Sequence, residues 1–126
     1  MPTPTSSLNA FVATATKAAR LAAREITRAA QDRDQLEITG KARNDFVTSA
    51  DKAAEAAIVR ELMEAYPQHG ILTEEAGRLG PKSDFLWIID PIDGTTNFIH
   101  GLPQYAVSIA LTYCGEPIAA VVYDVA

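Results

Sequence analysis

The chain has 126 residues, 48% of them hydrophobic, and a net charge of −5. That apolar content suits a single domain able to bury about two-thirds of its unfolded surface. Asp plus Glu is 16 against 11 for Lys plus Arg, which argues against a general nucleic-acid binder, usually basic, and is no obstacle to divalent cations. A lone cysteine, Cys114, excludes an intramolecular disulfide and argues against a cysteine zinc site. A reducing, cytoplasmic compartment is the simplest assumption.

Residues 1–7 read as a flexible leader and 8–126 as one folded unit. Leu8, Phe11, Val12, Ala15, Ala19, Ala22 and Ile26 recur at steps of three and four, predicting a helix from about Leu8 to Ala30. Glu25 and this apolar stripe fit a structural helix better than a targeting peptide. Gln31 to Glu37 reads as a polar turn, and Leu36 to Thr39 as a short strand stopped by Gly40. A second helix is expected from Thr48, where Thr48-Ser49-Ala50-Asp51 fits a capping box. Ala50, Ala54, Ile58 and Leu62 are its buried stripe and Pro67 closes it.

Ile71 to Glu75 is expected to be a strand, Gly77 to Asp84 a loop, and Phe85 to Asp90, a continuous apolar run ending in a carboxylate, a buried strand. Tyr105 to Tyr113 alternates with period two. Gly115, Glu116 and Pro117 make a turn and Ile118 to Asp124 returns. The apolar run Ile118 to Tyr123 is far short of the ~20 residues a membrane-spanning helix needs. Helices first and mostly antiparallel strands after them predict a layered α+β fold. The chain stops at Ala126, just past an apolar strand, as a truncated chain would.

The chemistry concentrates in Asp90-Pro91-Ile92-Asp93-Gly94-Thr95-Thr96-Asn97-Phe98. A strand delivers Asp90, proline stiffens the turn after it, and Asp93 follows closely. Carboxylates packed this tightly repel unless a cation lies between them. Gly94 permits an unusual backbone angle, and the N–H groups at Thr95 and Thr96 could face an anion. Oxygen ligands, including the Ile92 carbonyl, beside an anion cradle suit Mg²⁺ shared with a phosphate. A lone Asp-Gly-Thr would be an ordinary turn; the whole string favours the metal–phosphate site. Taken alone, Glu74 and Glu75 are equally well an exposed strand end, Asp51 is a cap and Lys41 a solvated lysine. His69 and His100 have no ligand-spaced partner and are not assigned to metal.

Taken together, Asp45 to Asp51, Ile71 to Glu75, Trp87 to Phe98 and Ala106 to Ala110 resemble the inositol monophosphatase family of Mg²⁺-dependent, Li⁺-sensitive phosphatases. Asn44 to Glu55 with Tyr66-Pro67-Gln68-His69 looks most like its bacterial SuhB-type branch. The resemblance runs from about residue 8 to the chain end. It implies a layered α/β sandwich with N-terminal helices on a mainly antiparallel sheet, and it covers the N-terminal half only. By position it makes Glu74, Asp90, Asp93 and the Ile92 carbonyl metal ligands, with Glu75 and Lys41 in support. Gly94 and Thr95 N–H groups would hold phosphate, next to Asp93. The Thr95 hydroxyl and Asp51 would position and deprotonate the attacking water, and a weaker metal site would draw on Asp51 or Glu74.

The resemblance also implies a homodimer and a further aspartate in a Trp-Asp pattern, which this chain lacks, its one tryptophan being Trp87. The isolated chain is therefore expected to be weakly active or inactive. The implied reaction is Mg²⁺-dependent hydrolysis of inositol monophosphate or a similar small phosphate monoester. Related substrates (3′-phosphonucleotides, fructose bisphosphate, histidinol phosphate) stay open, although the 15-residue spacing from Glu75 to Asp90 favours the shorter inositol phosphatase plan. A second reading is a SuhB-type binding or assembly protein with a transcription-machinery partner and no direct nucleic-acid contact. A third is a homologue that has lost its chemistry, disfavoured by the intact set Glu74, Asp90, Asp93 and Thr95.

Overall fold

The computed structural model describes residues 5–35, 40–73, 76–94 and 105–125. Two helices, α1 (Thr5–Gln35) and α2 (Gly40–Ala65), precede five strands: β1 (Gly70–Thr73), β2 (Gly77–Leu79), β3 (Phe85–Asp93), β4 (Ala106–Tyr113) and β5 (Glu116–Asp124). The strands form one sheet in the order β2-β1-β3-β4-β5. Only β1 and β3 pair in parallel; the other three pairings are antiparallel. The expected α+β layering, helices on a mainly antiparallel sheet, is what the structure has.

Both helices run longer than their periodicity suggested. No glycine or proline occurs in 5–35 or 41–66, and such stretches rich in Ala, Arg and Lys continue as helix until something breaks them. So α1 begins at Thr5 and extends through most of the expected polar turn, to Gln35. Because α2 starts at Gly40, Thr48 to Asp51 lie in its interior. Interior N–H groups are already bonded to carbonyls one turn back, so the capping-box reading of Thr48 and Asp51 is wrong. The strand expected over 36–39 lies outside the described residues.

The helix pair covers one face of the sheet, α1 over β4 and β5 and α2 over β3. Phe11, Ala15, Ala19, Ala22 and Ile26 meet Ala50, Ala54, Ile58 and Leu62 in a core completed by Ile71, Trp87, Ile89, Val107, Ile109 and Leu111. Alanine at so many contact positions lets the helices approach closely. Val12, expected in the stripe, is instead 40% exposed. The other sheet face is uncovered among the described residues, with Ile88 at 42% and Val122 at 71% exposure. The strand expected to be buried over Phe85 to Asp90 is buried at Trp87 and Ile89 and exposed at Ile88.

Two connections also differ from expectation. Residues 77–79, expected as loop, form β2 against β1. The hairpin between β4 and β5 turns at Cys114-Gly115, both with positive φ (51° and 84°), the combination that matches strand twist in two-residue hairpins. Pro117 then sits inside β5, at an irregularity where Leu111 faces Ala119 and Thr112 faces Pro117. Among the described strands β5 is an edge, and edges and bulges tolerate proline.

His69 anchors the start of β1. It is buried between the Tyr66 and Phe85 rings, at centroid distances of 4.8 and 4.5 Å, and Trp87 Nε1–H donates to its Nδ1 at 3.1 Å. Burial pushes its pKa below the usual 6.5. The neutral ring that accepts from Trp87 is the form the fold wants. The unfolded chain thus takes up a proton before the folded one, and stability falls as pH drops below about 6.5, levelling below the folded-state pKa. Urea unfolding followed by Trp87 fluorescence should show a lower midpoint at pH 5.5 than at 7.5. His69→Asn, which does not titrate, should flatten that difference; an unchanged pH dependence in the variant would show that His69 is not its source.

Candidate active site

The site begins with a counting mismatch. From Asp90 to Asp93 β3 advances three residues, while β4 advances two, from Ser108 to Ala106. One extra residue in β3 is a β-bulge. In an unbroken strand, residues three apart point to opposite faces. Here Asp90 is opposite Ser108 and Asp93 opposite Ala106, two positions on one face of β4. Directly opposed residues share a face, so the bulge sets both carboxylates on the same side of the sheet. Burial agrees: Pro91 and Ile92 are consecutive buried residues, flanked by half-buried Asp90 and exposed Asp93. Proline at 91 lies in the strand rather than in a turn, and the bulge accommodates its missing N–H. The turn comes at Gly94, whose φ is 93°.

Parallel pairing of β1 with β3 fixes where β1 ends relative to Asp90. Thr73 is in register with Ile89, and the residue following each is acidic, Glu74 and Asp90. The placement of Glu74 and Glu75 themselves lies outside the described residues, as does that of Thr95. Their connection is bounded on both sides: Thr73 pairs with Gly77 across three residues, and Gly77 has φ 71°. Thr73 is 3% exposed, and its Oγ1 accepts from Ala76 N–H at 2.8 Å. Sequence reasoning passed over Thr73; its place directly before two glutamates and three residues ahead of Ala76 was the available signal, a side-chain oxygen bonding the local backbone.

Asp51 belongs to the same end of the molecule. Four residues, 66–69, link α2 to β1, so the helix packs antiparallel to β1 and β3. From Ala65 back to Asp51 the helix spans about 21 Å. Along β3, Leu86, which is level with Gly70, lies about 23 Å from Asp93 at the usual strand rise. Half-buried Asp51 is therefore near the level of the Asp90–Asp93 bulge, while His69 and Phe85 mark the opposite end. Lys41 lies in the first turn of α2, its side chain outside the described set. Among the described residues no three His, Cys, Asp or Glu groups form a complete cation site. Asp90, Asp93 and the Ile92 carbonyl are nonetheless an all-oxygen donor set, hard ligands that suit Mg²⁺ rather than a thiophilic metal.

Two helices packed on a mixed sheet, with a bulged strand delivering paired aspartates to a glycine turn, match the layered fold of solved inositol monophosphatase and SuhB structures over the part this chain covers. The inositol monophosphatase family model matches residues 7–126, and the chain belongs to that family. Its relatives include the Nus factor SuhB of Pasteurella multocida, 48% identical over 118 residues covering 93% of this chain and 44% of the relative. The Nus factor SuhB of Escherichia coli K12 is 51% identical over 111 residues, 87% of this chain and 42% of its own. Among solved structures, the extragenic suppressor protein SuhB of Bartonella henselae superposes with a TM-score of 0.79 at 38% identity, covering 92% of this chain and 44% of that one. The inositol monophosphatase of Anabaena (Nostoc) sp. PCC 7120 gives the same score and identity over 94% and 41%. The chain thus spans less than half the length of these relatives.

The Thr73 hydrogen bond gives a direct test of the β1–β2 connection. Thr73→Val keeps the shape and removes the acceptor; Thr73→Ser keeps the acceptor. Hydrogen exchange at the Ala76 amide should quicken about fivefold in the valine variant, the equivalent of about 1 kcal/mol, and stay near wild type in the serine variant. Equal protection in all three would remove Thr73 from this role.

Proposed function

We propose that the full-length protein is a Mg²⁺-dependent phosphate monoesterase acting on inositol monophosphate, and that this chain supplies its cation- and phosphate-holding half. The observation that carries the reading is the one-residue bulge that puts Asp90 and Asp93 on one face, just before Gly94 at positive φ. Family membership supports it. Two adjacent carboxylates on one face favour a cation between them, and the main-chain turn that follows favours an anion.

In this proposal Asp90, Asp93, Glu74 and the Ile92 carbonyl hold the cations, with Glu75 and Lys41 in support. Bound Mg²⁺ supplies a nucleophilic water near neutral pH and offsets charge on the leaving oxygen. The N–H groups of Gly94 and Thr95 hold the phosphate in line. The Thr95 hydroxyl would orient the attacking water, accepting its proton as it passes its own to the Asp51 carboxylate, which ends the step protonated. Placement and charge neutralisation carry most of a phosphoryl transfer of this kind. The products are the free alcohol and inorganic phosphate. A homodimer working in the cytoplasm, with lithium sensitivity, belongs to the same reading.

The relatives named Nus factor SuhB favour a second reading, in which the protein also joins transcription machinery through protein contacts. One variant separates the two. In the full-length protein, Asp93→Asn should lower kcat/KM for Mg²⁺-dependent phosphate release from inositol 1-phosphate by about a hundredfold or more, in line with the loss of a key charge-stabilising group. Activity indifferent to Mg²⁺ removal or to this substitution would overturn the phosphatase reading. Survival of the cellular role in Asp93→Asn would make assembly the dominant function.

A further inference from the structure

The seam between α1 and α2 that faces away from the sheet is a groove of about 460 Å³, its walls including Leu21, Arg24, Arg28, Ala53, Ala57 and Arg60. Alanines on α2 leave the floor shallow and apolar, and arginines form its rim. Arg24 and Arg28, one helical step of about 6 Å apart on α1, and Arg60 on α2 line it and are exposed, with exposed Arg20 one turn further along α1, outside the groove. Two acidic residues also line the groove, and both are engaged: Glu61 pairs with Lys17 at 3.1 Å and Glu25 with Arg28 at 3.4 Å. Arg20, Arg24 and Arg60 have no ion pair among the described residues. With both glutamates engaged, Arg24 and Arg60 leave unbalanced positive charge on the two walls of a groove in a chain whose net charge is −5. Exposed ion pairs contribute little to stability, so folding gives no reason to collect arginines here.

We infer that this groove docks an acidic amphipathic helix of a partner protein. Carboxylates on such a helix would meet Arg24 on one wall and Arg60 on the other, and leucine-sized side chains between them fit the alanine floor, which is the helix-in-groove mode of recognition. Nucleic acid fits less well. No aromatic side chain lines the groove to stack on bases, and the acidic chain as a whole repels a polyanion. The groove lies on the outer surface of the helix layer, Asp90 and Asp93 on the uncovered side of the sheet, so the inference stands apart from the phosphatase reading.

The test uses the full-length protein and a fluorescein-labelled 20-residue helical peptide of glutamate and leucine, with leucine at four-residue intervals. Fluorescence anisotropy should show binding that weakens as salt is raised from about 50 to 200 mM, where exposed charges are screened. Arg24→Glu with Arg60→Glu should weaken it at least tenfold. Arg78→Glu with Lys82→Glu, an identical change of net charge on the distant β2 edge, should change it less than twofold. Circular dichroism checks that both double variants stay folded. Equal losses in the two would reduce the effect to net charge and overturn the site. Tighter binding of a 20-nucleotide oligouridine, lost in the groove variant alone, would replace the peptide with RNA. A dimer abolished only by the groove substitutions would put a second copy there instead. Absence of peptide binding also overturns the proposal.

Discussion

Two like charges on one face of a β-strand are the constraint on which this molecule turns. Asp90 and Asp93 would alternate across the sheet if β3 were regular, and one extra residue brings them to the same side. Carboxylates that share a face in this way offer oxygen donors of the kind a hard cation takes. The surrounding fold keeps it in place: Ile89 and Ile92 are buried beside it, β4 pairs along its length, and α2 covers its inner face. A bulge whose two residues both anchor in the core cannot easily anneal into a regular strand.

The molecule has two functional ends. At the start of β1 and β3, Phe11, Tyr66, His69, Phe85 and Trp87 form an aromatic cluster that fixes where these strands begin. Parallel pairing then carries that register forward, so that Thr73 and Ile89, each followed in the sequence by an acidic residue, are level on neighbouring strands. Packing at one end thereby decides alignment at the other. His69, a histidine without a ligand-spaced partner in the sequence, has its role here as an acceptor for Trp87 rather than as a metal ligand.

Much of the core was legible from periodicity. The stripes through Phe11, Ala15, Ala19, Ala22 and Ile26, and through Ala50, Ala54, Ile58 and Leu62, are buried, because helical spacing alone places them on one side. The alternation of Val107, Ile109 and Leu111 identified the inner face of β4 for the same reason. Where reading failed, the decisive partner was remote in sequence. Residues 77–79 became a strand because β1 lies beside them. The capping box at Thr48 failed because the helix had already begun at Gly40. Val12 and Ile88 are exposed because the helices cover only part of what their neighbours' apolar character suggested.

The sequence by itself determined which chemistry is available: aspartates, glutamates, a glycine turn and threonines in an order that resembles one family, together with the helical and strand periods that build its core. It could not determine that residues 90 and 93 share a face, because side-chain direction in a strand depends on how the partner strand counts across the bulge. Nor could it set Thr73 alongside Ile89, or gather Arg24 and Arg60 on one groove, since those proximities arise only when distant segments pair and pack. Local steric preference is written residue by residue, whereas register and juxtaposition are properties of the folded whole.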